Sequence, residues 1–287
     1  MYKRQVSGVG WGSGYIGSII SLSTALFLFI GLGDAGGLLG IPKEGALHVR
    51  STMLLAAVWF AIFAIPYFVF CPDAPKSGRT FMASAREGLR DLKNTALHAK
   101  RYPDLIKFLI AAAIYRDGLV TLFAMGGLYA AGTLGMEFSE VMIFAIAINI
   151  ASGIGAVAFA FFDDKWGSRT IVIICLIGLL IFGAGVITTD SKTMFVALAC
   201  CLGLFIGPVQ AASRALLVRL SPPESIGAFF GLYALTGKSV AFMGPFAFAA
   251  LTTAFDSQRV GMASILAFWA IGLLVIYFVR PNRAVVP

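Results

Sequence analysis

The sequence predicts an all-α polytopic membrane protein with eight transmembrane helices, and three observations predict it. Only 13% of the 287 residues are charged, 59% are hydrophobic, and the mean hydropathy is +0.89. A soluble globular chain carries about a quarter charged residues, so too little polar surface is left to wrap one soluble core. Apolar runs of about 20 residues, the length that crosses the hydrocarbon of a bilayer, recur along the whole chain. Between them the bases gather in short stretches, which is how loops that set membrane orientation are written. The net charge of +8 is therefore read as orientation signal on a lipid-embedded chain. It is not read as a face for nucleic acid.

The runs fall at roughly 12–32, 51–70, 105–131, 140–162, 170–188, 193–213, 226–252 and 260–279 by the length rule. The first is too long and too rich in glycine for a secretory signal peptide. Pro66, Pro208 and Pro245 lie inside runs. In a membrane bundle neighbouring helices can satisfy the carbonyls they free, so these prolines mark kinks. Gly10, Gly14 and Ser18, then Ala151 and Gly155, recur at the spacing that lets helices approach closely. Three of the four cysteines, Cys71, Cys175, Cys200 and Cys201, stand inside apolar runs. They read as small buried hydrophobes. No paired CxxC occurs, and His48 and His98 lie far apart, so neither a metal site nor a cofactor is expected.

Loop charge sets the orientation. Residues 71–104 hold Lys76, Arg79, Arg86, Arg90, Lys93, Lys100 and Arg101, which predicts a cytoplasmic linker. Alternation then puts the 163–169 loop, Arg219, Arg280 and both termini on that side. The opposite loops are poor in bases, and the one with Lys43, Glu44 and Arg50 fits least well. Within the linker, Phe81, Ala85, Leu89, Leu92 and Ala96 follow a helical period with bases off the stripe, as in a helix lying along the membrane surface. The chain thus divides into two helices over 1–70, a linker over 71–104 and six helices over 105–287.

Ionisable groups inside a span are costly and point to function. Asp117 and Lys238 each lie about 12 residues into a helix entered from the cytoplasmic side, roughly 18 Å deep. Asn149 reaches the middle from the other side, so an acid, a base and an amide are expected near one level, where transporters hold solutes and coupling ions. The bland alternative has Asp117 and Lys238 merely neutralising each other. Arg116, next to Asp117, points about 100° away from it, which disfavours their direct contact. Asn149 also suits a helix-packing hydrogen bond. Gln210 and Arg214 sit one turn apart on one helix face, Gln210 deep enough to face a cavity and Arg214 near the cytoplasmic helix end. The loop Asp163-Asp164-Lys165-Trp166-Gly167-Ser168-Arg169 joins two spans by a very short turn. Asp and Arg could clamp the helices there, or the loop could be a charged hairpin alone. No nucleophile elbow, zinc-binding helix or phosphate loop appears, which speaks against an enzyme.

The stretch from Ala160 to Arg169 resembles the major facilitator signature G-x-x-x-D-R-x-G-R-R. It departs at Ala160, where the signature has glycine, and at Ser168, where it has a base. A longer set is more specific. It comprises Gly207-Pro-Val-Gln210-Ala-Ala-Ser-Arg214, Pro222-Pro-Glu224, Phe229-Phe-Gly231-Leu-Tyr233, Gly237-Lys238, Gly244-Pro245, Tyr115-Arg-Asp117-Gly118 and Gly12-Ser-Gly14-Tyr15-Ile-Gly17. These are similar to the branch containing the autophagy-related vacuolar amino-acid effluxers and their bacterial relatives. The resemblance implies a permease of two six-helix halves working by alternating access. The chain would hold the last two helices of the first half, the linker and all of the second half, with about four helices missing. It implies secondary transport of a small polar solute, amino acids among the candidates. Coupling to protons is expected from Asp117, and the short loops without long insertions point to a bacterial cytoplasmic membrane rather than a vacuole. Asp117 would take a proton or a cationic group, since a desolvated carboxylate can titrate near neutrality. Lys238 would face a carboxylate, with Arg116, Asn149 and Gln210 beside them. Asp164, Lys165, Gly167 and Arg169 would form a gating loop. A truncated, non-transporting membrane remnant or scaffold is the rival expectation.

Overall fold

The computed structural model describes residues 2–32, 35–72, 80, 82–83, 86–88, 90, 94–95, 97 and 101–280, without the side chains of 2–12, 164 and 224. The expected surface stripe on Phe81, Ala85, Leu89, Leu92 and Ala96 falls outside the described residues. Among the described residues nine long helices follow one another: α1 (Tyr2–Thr24), α2 (Thr52–Phe70), α3 (Pro103–Leu134), α4 (Phe138–Trp166), α5 (Ser168–Thr188), α6 (Lys192–Leu220), α7 (Ile226–Val240), α8 (Met243–Phe255) and α9 (Gln258–Tyr277). With α7 and α8 counted together, they make eight segments long and apolar enough to cross a membrane. The protein is an integral membrane protein.

Local chemistry sets the helix ends. Pro103 opens α3 at a position whose N–H would be unpaired anyway, and Gly135, left-handed at φ 60°, closes it. Glu137 and Glu140 form a capping box at the start of α4, with the Glu137 N–H donating to Glu140 Oε2 at 2.7 Å. Ser191 caps α6 through Met194 N. The last turn of the first span, Ala25–Ile30, is π-helical and stops at Gly31.

The core lies within α3–α9. Helix α3 packs against α7, α8 and α9; α5 packs against α6 and α9; α4 packs against α6 and α1. Trp269, Tyr115, Tyr129, Phe108 and Phe195 are fully enclosed. Phe108 and Tyr233 stack with ring centroids 6.0 Å apart and planes 3° apart. Lipid tails are as apolar as these side chains, so close packing rather than water exclusion holds such helices together. The α4–α6 crossing shows it: a Cβ on Gly155 would collide with the Leu204 carbonyl, and one on Gly207 with the Ser152 carbonyl. Cys175 is buried as expected, while Cys71 is exposed. No residue of α2 is buried.

Pro66 and Pro208 sit inside helices that continue through them, and one proline expectation changes. The run at 226–252, expected as one kinked helix, is two helices with a break at Ala241–Phe242. Pro245 follows the break, in the first turn of α8, where its missing N–H deprives no carbonyl of a partner.

Candidate functional site

The site is organised by three successive residues of α3, each reaching a different helix. Tyr115 Oη lies 2.6 Å from Ser213 Oγ of α6. Arg116 Nη1 donates to the Tyr233 carbonyl of α7 at 3.4 Å. Asp117 Oδ2 accepts from the Gly244 N–H of α8 at 2.7 Å. Helical residues fan out by about 100° per step, so one short stretch can address three neighbours.

Asp117 is only 2% exposed. Its bond to Gly244 places a carboxylate at the start of α8, where unpaired N–H groups and the helix dipole favour negative charge. Its other oxygen, Oδ1, is buried without a hydrogen-bond partner among the described residues. The approach is close enough that a Cβ on Gly244 would strike Thr121 Oγ1.

Beside this anchor lies a cavity of about 220 Å³ lined by Arg116, Gln210, Arg214, Phe230, Tyr233 and Ala234. The Arg116 guanidinium sits 4.3 Å from the Tyr233 ring centre and that of Arg214 5.7 Å from the Phe230 ring centre. Both distances are within cation–π range. Gln210 donates to the Ile206 carbonyl one turn back on its own helix. Among the described residues no carboxylate lines the cavity, and neither arginine joins an ion pair.

The expected trio of Asp117, Lys238 and Asn149 is not assembled. Lys238 is exposed in the last turn of α7, outside the cavity lining and without an ion pair to Asp117. Asn149 donates to Ala145 O of its own helix at 2.8 Å. It borders a separate groove of about 580 Å³ shared with Ser13, Ser18, Trp59 and Phe63. Arg214, expected only as a helix-end anchor, lines the cavity with Gln210. Sequence reasoning does not single out Phe230 and Tyr233 as site residues. Their spacing of three on one helix is the signal that could have found them.

The 163–169 loop ties helix ends together by other partners than those expected. Asp163 pairs with Arg219 of α6 at 3.6 Å. Arg169 donates to the Tyr277 and Ile276 carbonyls at 2.5 and 3.4 Å, closing the C-terminal end of α9. Gly167 makes the turn at φ 81°, a backbone that glycine adopts without strain. Lys165 is exposed, and the Asp164 side chain lies outside the described residues.

This arrangement of helices is that of a major-facilitator-type transporter. It resembles a solved bacterial homologue of the human lysosomal transporter Spinster with a TM-score of 0.52 at 14% identity, over 84% of this chain and 60% of that one. The chain belongs to the family described as Vacuole effluxer Atg22 like, which it matches over residues 1–286. It is 24% identical to the uncharacterized MFS-type transporter YxiO of Bacillus subtilis, covering 96% of this chain and 63% of the relative. It is 23% identical to autophagy-related protein 22-1 of Aspergillus fumigatus, covering 98% of this chain and 49% of the relative. The chain therefore spans about half to two thirds of the length of these relatives. The family is one of transporters and not of enzymes.

Proposed function

We propose that the chain contributes the solute-binding half of a proton-coupled secondary transporter that moves a small polar solute by alternating access. The observation that carries this reading is the cavity between α3, α6 and α7, in which Arg116, Gln210 and Arg214 converge with no acid among the described lining residues. Arg116 lies inside a span, where a charge without an ion-pair partner among the described residues is expensive and is retained for a ligand, and the exposed Arg214 joins it from α6. Residues 1–70 would be the last helices of a first half, 71–104 a cytoplasmic linker, and 105–287 the second half. The setting would be a bacterial cytoplasmic membrane, and the resemblance to the autophagy-related vacuolar amino-acid effluxers makes amino acids the candidate solutes.

Asp117 would be the coupling residue. As a carboxylate it holds the first turn of α8 through Gly244; once protonated, it is a weaker acceptor at a helix N-terminus. A proton would thus loosen the α7–α8 break beside the cavity. Asp163, Gly167 and Arg169 would stiffen the face that opens and closes.

The test is uptake of labelled amino acids under an imposed pH gradient into proteoliposomes holding the full-length transporter that contains this chain, with Asp117→Asn beside the native protein. The amide keeps an acceptor for Gly244 but cannot cycle a proton. It should insert normally, retain exchange and lose uphill transport. Concentrative transport by the variant at the native rate would remove Asp117 from the mechanism. No flux from that full-length native protein for any solute would favour the scaffold reading.

A further inference from the structure

We infer that the cavity selects a solute bearing two carboxylates, a class that includes dicarboxylic acids and the acidic amino acids. The inference rests on reading the cavity as the solute site and goes further by fixing the charge of what enters. Guanidinium groups stay charged at any physiological pH, so Arg116 and Arg214 bring two permanent positive charges to one small space. The described lining offers no acid to receive an ammonium group. A solute with a single carboxylate and an ammonium carries no net charge and would leave the pair uncompensated; an acidic amino acid offsets one of the two positive charges, and a dicarboxylate offsets both.

The aromatic residues argue the same way. Phe230 and Tyr233 are three residues apart on α7, so their side chains rise one above the other on one face. Each carries one of the two guanidiniums over its ring. Stacking orients a planar guanidinium without consuming its N–H donors. Arg116 Nη1 donates to the Tyr233 carbonyl, and a guanidinium has five N–H groups. The remaining edges suit the paired oxygens of a carboxylate. Gln210, one turn from Arg214, adds a neutral polar contact. At about 220 Å³ the space is smaller than the roughly 300–1,000 Å³ of clefts for drug-sized ligands, which suits a short-chain metabolite.

The experiment is thermal stabilisation of the purified full chain at fixed ionic strength, with glutamate, glutamine, succinate, leucine and inorganic phosphate as probes. Glutamate and glutamine share one shape and differ by one negative charge, so the native chain alone decides the question. Glutamate and succinate should raise the melting temperature while glutamine and leucine do not. Arg116→Gln and Arg214→Gln should each weaken glutamate binding about tenfold or more, the loss of a charge-assisted hydrogen-bond pair. Arg214→Lys, which keeps charge and loses the fork, should fall between. Equal stabilisation by glutamine and glutamate, or stabilisation by phosphate alone, overturns the inference. Leucine flux in proteoliposomes without glutamate binding would sink the charge class and leave the transport reading standing. Glutamate binding without any flux would do the reverse.

Discussion

At the scale of the residue, the consequential contact is the one between Asp117 and Gly244. The Gly244 position leaves no room for a methyl group, because Thr121 Oγ1 occupies it, while Thr121 itself donates to the Asp117 carbonyl at 2.8 Å. Gly244→Ala should therefore destabilise the protein by about 1–3 kcal/mol, the usual range for overpacking. Thr121→Ala in the same chain should recover part of that loss, read as non-additivity in a thermal double-mutant cycle in detergent. Additive losses would mean that α8 moves away rather than colliding. The sequence singled out Asp117 because an acid in the middle of a long apolar run is costly to keep, and the structure buries it against α8. It could not reveal Gly244 as its partner, 127 residues away, because that pairing depends on how α3 and α8 cross.

At the scale of the element, the break between α7 and α8 was legible only as a proline. Pro245 pointed to the right region, yet the interruption lies at 241–242 and Pro245 sits inside the following helix. The cause is that a proline ring is well accommodated in a first helical turn, so it tolerates the break without creating it. On that account Pro245→Ala should leave the helix boundaries in place and change stability by less than about 1 kcal/mol, far below the roughly 3 kcal/mol associated with proline in a helix interior. A marked gain in stability on the same thermal assay would show that the ring forces the interruption. The other spans were legible from run length, since about 20 apolar residues have one favourable state in lipid. Their ends were less legible, and α3, α4 and α6 run past the apolar segments into polar turns, where backbone bonds continue whatever the side chain.

At the scale of the whole molecule, packing is unevenly shared. Helices α3–α9 enclose nearly all of the core, whereas α2 buries nothing. Hydropathy cannot show this, because α2 is as apolar as its neighbours and differs only in what it touches. The difference is measurable through native thiols. Cys71, at the end of α2, is exposed, and Cys175 is enclosed in the core. N-ethylmaleimide added to the folded protein in detergent should modify Cys71 first and leave Cys175 unmodified until denaturation, as followed by peptide mass spectrometry. Early modification of Cys175 would mean that α5 does not pack as described.

The consecutive placement of Tyr115, Arg116 and Asp117 bears on what mutation can do to this chain over time. Point substitutions on the outward faces of α3 change one contact each. Inserting or deleting a single codon within α3 ahead of Tyr115 would turn all three side chains by about 100° about the helix axis. Each would then face a neighbour matched to another residue. Length, more than composition, is therefore the inherited property of this stretch, and lineages descending from one ancestor should vary its letters while holding its count.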